Sequence, residues 1–294
     1  MTVTPNAVAI PMRLRVNPTP ESSGPQGSMN FEHEETTCAN LSKAARAYLA
    51  SLTSVDPDSD KELSRAIWLH ALAIIYAPAY LKEHGPGIRE GWPRVPLPTS
   101  LDLLHRSAQL GSEIAGLLNP AVPVLGVTTG KLRREISPLG RITGPKSGFD
   151  LGVTVGWGHI QKKKGVVMPG KGCSKEREFS AEEEASIAEG SKDLGLALES
   201  IKAHWSDKTL DIYLNTDVYW SDVPKATWEY TIGGYQVLKK WLSYRDRSVL
   251  GREITKDEAR EFTHMVRRLA ALILMEQRLD ANYASMIDHI YAWP

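Results

Sequence analysis

The sequence predicts an α+β protein: an N-terminal helical module, a mostly antiparallel β-sheet with basic loops, and a long C-terminal helix closing the core. Three observations carry this. Between residues 40 and 118 apolar side chains recur at helical spacing. From Val122 the period shortens toward two, and from Thr255 it returns to helical spacing as far as Ile287. With 294 residues and 42% apolar content, the chain can hold one large domain or two small ones.

Residues 1–37 are rich in Pro, Ser, Thr and Gly, with an acidic FEHEE run, and are expected to be a disordered leader. His33 has no second cluster of ligands at metal spacing and is read as part of that tail. The remainder, 38–294, divides into a helical module (38–119), a β-rich part (120–222) and a last part (223–294). In the helical module, Asn40 is the expected N-cap for a helix carrying Leu41, Ala45, Tyr48, Leu49 and Leu52. DPDSD breaks it. A second helix carries Leu63, Ile67, Leu72 and Ile74 and stops near Pro78, with His70 as a core histidine. The Gly- and Pro-rich stretch 84–98 predicts an irregular crossing loop anchored by Trp92 and Leu97. Arg94 in it suits a phosphate or a loop carbonyl equally. Thr99 or Ser100 opens a third helix through Leu118.

In the β-rich part, Leu132, Arg134 and Ile136 alternate with Arg133 and Glu135. Leu151, Val153, Val155 and Trp157 alternate with Gly152, Thr154 and Gly156, predicting a strand whose glycine face admits close approach by a backbone or a ligand. Gly158 to Gly172, with Lys162, Lys163, Lys164 and Lys171, reads as a basic loop. Ser180 and Glu183 form a capping box for an acidic helix, and Thr209 to Leu214 returns as a strand.

The stretch WEYTIGGYQVLKKWLSYR, Trp228 to Arg245, divides at Gly233-Gly234. Before the glycines, Trp228, Tyr230 and Ile232 alternate as in a strand; after them, Val237, Leu238, Trp241 and Leu242 share one side of a helix. A strand passing through two glycines into a helix frees backbone N–H groups near Lys239 and Lys240, an arrangement that suits a phosphate. The same glycines serve a plain tight turn with solvated lysines. Beyond it, Thr255 and Glu258 cap the long helix, which buries Phe262, Val266, Leu269 and Leu279 and bears a stripe of Arg260, His264, Arg267 and Arg268.

Lys+Arg and Asp+Glu balance at 35 each, but they are segregated. Lys131 to Lys175 holds ten basic residues against two acidic, and Glu176 to Asp211 four against ten. Such segregation is what a nucleic-acid surface on a neutral protein produces, and equally what two mutually neutralising segments produce. Cys38 and Cys173 are too few for a zinc motif or a disulfide framework and fit a reducing cytosol. No secretory h-region or membrane-length apolar run occurs, so a cytoplasmic protein is expected.

The central stretch, with LGREIT and a helix ending LDANY after it, resembles the C-terminal specificity domain of Type ISP restriction–modification enzymes. IWLHALAIIYAPAYL (67–81), WPRVPLP (92–98), VTVGWGH (153–159), VVMPGKG (166–172) and LDIYLN (210–215) follow the same family in order, so the resemblance runs from about Asn40 to about Ile287. Those enzymes join nuclease, translocating ATPase, adenine methyltransferase and DNA-recognition parts in one chain. The resemblance therefore implies sequence-specific recognition of double-stranded DNA, with methyltransferase, translocase and nuclease modules acting in trans. S-adenosylmethionine, ATP and magnesium would belong to those modules and not to this chain. Where the whole enzymes place a methyltransferase, this sequence has its leader and Met1, which leaves a separate specificity subunit and a gene remnant both open.

No Pro-Pro dipeptide is present to hold a flipped adenine, and GVTTGKL (126–132) is one residue short of a phosphate-binding loop. His159 has no assignable partner nucleophile or carboxylate. The candidates are therefore binding residues. Phosphate contacts are assigned to Arg133, Arg134, Lys162, Lys163, Lys164, Gly233, Gly234, Lys239, Lys240 and Arg245, with Arg260, Arg267 and Arg268 behind them. Two rival readings are a methyltransferase or nuclease with unrecognised motifs and a non-catalytic scaffold for an acidic partner.

Overall fold

A computed structural model of the chain describes residues 10–16, 37–146, 148, 150–162 and 165–293. They fall into two compact units, one of residues 1–115 with 278–294 and one of residues 116–277. The architecture is α+β, and every pairing between named strands is antiparallel. Among the described residues no helix is long and apolar enough to cross a membrane.

The first unit begins inside the expected leader. β1 (Arg13–Arg15) pairs with β2 (Thr37–Ala39), where composition predicts disorder. The reason is one side chain. Arg13 donates to the Thr37 and Asp58 carbonyls (both 2.7 Å), contacts a composition of the leader alone does not reveal. The rest of the leader, 1–9 and 17–36, lies outside the described residues. α1 (Lys43–Leu52) is capped by Ser42 instead of Asn40, whose amide instead donates to the Pro11 carbonyl. α1 has already ended at Leu52, with Thr53 as its C-cap, before DPDSD begins; the last Asp of that run, Asp60, caps α2 (Lys61–Ile75).

α3 (Pro78–Glu90) corrects the expected loop: Pro78 sits at its first turn, where a missing N–H costs nothing, and the helix continues through Pro86. The chain is irregular only from Gly91 to Pro98. Leu97 is buried as expected, but Trp92 is 75% exposed and anchors nothing. α4 (Leu101–Leu118) packs on α2 so closely that a Cβ on Gly111 would lie 1.8 Å from the Leu69 carbonyl oxygen. Tyr48, Leu49, Leu63, Leu104 and Ala108 form the core there. His70 is fully buried between the Ser107 hydroxyl (2.7 Å) and the Pro96 carbonyl (2.8 Å), a core histidine with both ring nitrogens bonded.

The second unit is built on a four-stranded sheet in the order β3-β8-β7-β6, made of β3 (Arg141–Thr143), β6 (Ser174–Glu178), β7 (Lys208–Tyr213) and β8 (Tyr219–Pro224). β4 (Gly158–Gln161) and β5 (Val166–Pro169) make a separate two-stranded ribbon. α5 (Ala181–Asp193) carries the expected Ser180–Glu183 capping box, and α6 (Leu198–Trp205) follows it. After β8 come α7 (Lys225–Glu229), the short hairpin β9 (Thr231–Ile232) with β10 (Tyr235–Gln236), α8 (Val237–Arg245) and α9 (Arg247–Leu250). α10 (Lys256–Ile273) has the expected Thr255–Glu258 box, and the chain turns at Leu274-Met275 before α11 (Glu276–Asp288). Trp220, Trp241 and Phe262 pack ring against ring in this unit's core.

Two expected strands are not strands. Residues 134–140 are turns, with Glu135 and Ile136 both buried because Arg133 and the close backbone of Gly190 meet the Glu135 carboxylate. Residues 151–157 form no strand, with bends at Val155 and Trp157 and Gly156 at φ 80°, and their backbone partners lie outside the four-stranded sheet. The Thr154 N–H donates to the Leu214 carbonyl, and the Val153 carbonyl accepts from the Arg247 N–H. The burial alternation is kept at Val153 and Trp157 without a ladder. The expected close approach to the glycine face is not seen at Gly156, where a Cβ would meet nothing within 4 Å; its carbonyl instead accepts from the Gly172 N–H at 3.1 Å.

Candidate nucleic-acid interface

The expected basic loop is a hairpin. Gly158, Ile160, Val167 and Pro169 lie on one face of the β4–β5 ribbon, and His159, Gln161, Val166 and Met168 on the other. The first face is docked on α8 at its Gly158 end, while Ile160 toward the tip is 49% exposed. A Cβ on Gly158 would come 1.9 Å from the Ser243 carbonyl oxygen, and the Gly158 carbonyl faces the Ser248 hydroxyl of α9 at 3.4 Å. Lys162 is exposed at the tip, and the Gly165 N–H closes the turn onto the Gln161 carbonyl (2.9 Å). Lys163 and Lys164 lie outside the described residues.

α8 presents the second group of candidates. Leu238, Trp241 and Leu242 are buried beneath it, which leaves Lys239 and Lys240 half-buried on its flank. The Lys240 ammonium sits 5.0 Å from the Tyr235 ring centre and 4.8 Å from that of Tyr244, held by two aromatic faces. Tyr235 is 57% exposed and Tyr244 is exposed too. Sequence reasoning missed this arrangement, although Tyr244 stands four residues after Lys240, one helical turn away.

The glycine pair is placed differently from the expectation. Trp228 belongs to α7, packed edge-on against Trp157, and not to a strand. Gly233 and Gly234 both take positive φ (59° and 81°) at the tip of the β9–β10 hairpin, three residues before α8 begins. They form a two-residue hairpin turn, for which paired glycines are suited. They do not form the start of the helix, whose N-cap Gln236 makes no side-chain cap bond. A Cβ at either position would meet nothing within 4 Å.

Several candidate arginines already have partners. Arg245 stacks on Trp241 at 3.8 Å and pairs with Glu261 (3.3 Å), and burial pulls its pKa down. Arg133 Nε lies 2.7 Å from Glu135, whose pKa is raised because burial outweighs that neighbour. Arg134 pairs with Glu189 of α5 at 2.7 Å. Arg267 donates to the carbonyls of Leu139 and Ser137, and Arg268, 6% exposed, to those of Gly116, Leu117 and Val122. Burial lowers the pKa of both. Arg260 pairs with Asp257 one turn away and is open to solvent.

The segregated charges thus partly neutralise each other, as the second sequence reading allowed. The Arg134–Glu189 pair joins the basic segment to the acidic one. Arg177 of β6 lies within the acidic segment and neutralises part of it from inside, gripping Glu183 with both arms (2.8 Å each) and reaching Asp211 and Asp222. Asp222 is raised by burial and by the Glu183 carboxylate, and its backbone is in the left-handed region at φ 61°. No sequence signal pointed to this cluster, because its members come from β6, α5, β7 and β8. Among the described residues no group of His, Cys, Asp and Glu could hold a metal ion.

The segment from 145 to 273 contains the ribbon, α8 and most of the sheet. No curated protein and no solved structure matched the chain. One family model did: residues 145–273 match the Type ISP C-terminal specificity domain, the family that the ordered sequence blocks within that span resemble.

Proposed function

We propose that the chain recognises a short double-stranded DNA sequence for a restriction–modification system. It would present that sequence to an adenine methyltransferase and nuclease on another domain or chain. Lys162, Lys239 and Lys240 would hold phosphates and set register, with Lys163 and Lys164 assigned to the same role by sequence. The supporting observation is the docking of the β4–β5 ribbon on α8 within the matched segment, which puts a basic hairpin tip and a lysine-bearing helix in one assembly. Arg133, Arg134, Arg245, Arg267 and Arg268 are better read as structural, since carboxylates or carbonyls already engage them. S-adenosylmethionine, ATP and magnesium would be bound by the other modules, and a role in phage defence in the cytoplasm follows from the same reading.

Selection from a randomised duplex library by the full chain tests this. An enriched motif, bound about 1,000-fold or more tighter than bulk duplex, is the expected result. Equal binding to all sequences would leave a basic surface without recognition. No duplex binding at low salt would favour the scaffold reading.

A further inference from the structure

We propose that the outward face of the β4–β5 ribbon enters the major groove and reads base edges, with Gln161 on an adenine and Val166 and Met168 against thymine methyls. This rests on the DNA-recognition reading above and adds to it the residues that specify the sequence.

The ribbon has only two strands, and neither is bonded to a third among the described residues. One of its faces is fixed on α8 through Gly158. The other carries His159 and Gln161 on β4, directly opposite Met168 and Val166 on β5. All four are exposed, Val166 to 48% and Met168 to 42%. Neither the His159 ring nor the Gln161 amide has a hydrogen-bond partner among the described residues, so their donors and acceptors are free for a ligand. A face of two free polar groups beside two exposed apolar ones has no use in holding phosphates, which need cations.

It does match the major groove. That groove is about 12 Å wide, admits a two-stranded ribbon, and offers donors, acceptors and thymine methyls in a pattern that distinguishes all four base pairs. Four paired residues span about 13 Å at 3.3 Å per residue, enough to cross a few base-pair steps. A glutamine amide can bond adenine N6 and N7 at once. Lys162 at the ribbon tip is then placed for a phosphate at the groove wall, and the cations of α8 for the flanking backbone.

The test uses the full chain, wild type, Gln161→Ala and Gln161→Glu, on the duplex motif that the wild type selects. Gln161→Ala should keep the wild-type melting temperature and its affinity for random duplex. Its discrimination at one A·T pair should fall about tenfold. Gln161→Glu, whose carboxylate accepts from cytosine N4, should move the preferred base at that position away from adenine. If both variants select the wild-type motif with undiminished discrimination, the ribbon does not read bases, although recognition itself stands. If the wild type selects no motif, both the ribbon assignment and the recognition reading fall.

Discussion

The carbonyl oxygen of Ser243 occupies the space that a side chain at Gly158 would need, 1.9 Å from an ideal Cβ. This contact fixes the basic ribbon to α8. Overpacking of this kind typically costs roughly 1–3 kcal/mol, and backbone atoms yield less readily than side chains. Gly158→Ala is therefore expected to lower stability by an amount at the upper end of that range. It should also weaken duplex binding beyond the unfolded fraction, because the ribbon would shift on the helix. Melting and binding isotherms check this, and normal melting with normal affinity would show that the ribbon is docked some other way.

Replacing Lys239 and Lys240 with alanine should weaken all duplexes about equally and flatten the dependence of affinity on salt. Arg268→Met makes the contrast. Losing its guanidinium leaves the carbonyls of Gly116, Leu117 and Val122 without their donor, so stability should fall by about 1–3 kcal/mol with an unchanged salt slope. Equilibrium unfolding and salt titrations of the two variants separate a phosphate contact from a structural one.

Gly233→Ala and Gly234→Ala should each cost about 1–2 kcal/mol, the strain of a Cβ at positive φ. Open space surrounds both positions, so steric clash within the protein adds nothing. Affinity per folded molecule is expected to stay at the wild-type value for both. A binding loss at one glycine with intact melting would instead support the phosphate cradle that the sequence suggested.

His70 supplies a pH dependence. Burial holds its pKa down, to about 4 from the usual 6.5, so the folded state keeps the ring neutral while the unfolded chain takes up a proton. Its contribution is fully present above about pH 6.5 and is lost as pH falls toward 4, by roughly 3 kcal/mol at 1.36 kcal/mol per unit. Carboxylates such as Glu258 titrate lower, held at about 2 by the Arg252 guanidinium, the Thr255 N–H and the charge of Arg245 against the opposing effect of burial. Chemical denaturation of wild type and His70→Gln between pH 7 and pH 4 should show the wild type losing more stability over that range than the variant, and equal losses would show that His70 contributes none.

What could be read from the chain was local. The boxes at Ser180–Glu183 and Thr255–Glu258 formed as predicted, since a cap needs only residues three apart. The third helix expected through Leu118 likewise formed, as α4 with Leu104 and Ala108 in the core. Period-two patterns were less reliable. Val153 and Trp157 are both buried without belonging to a ladder, and period alone does not reveal the bonding partner. The run of lysines hid a hairpin whose strands, GHIQ and VVMP, are only four residues each. β8 was not among the expected strands, although its Trp220 and Val223 are core residues. For the site, the lysines were visible as charge, but whether an arginine was free depended on distant partners. Arg268 meets carbonyls some 150 positions earlier in the chain, at 116, 117 and 122, which no window of sequence contains.

In the proposed function, the β4–β5 ribbon and α8 form the DNA-binding face. Amide hydrogen exchange of the full chain, with and without its selected duplex, measures this directly. Protection is expected at 158–169 and 231–245, with residues 43–118 unchanged on adding DNA. Protection confined to 43–118, with none at the ribbon or α8, would contradict it.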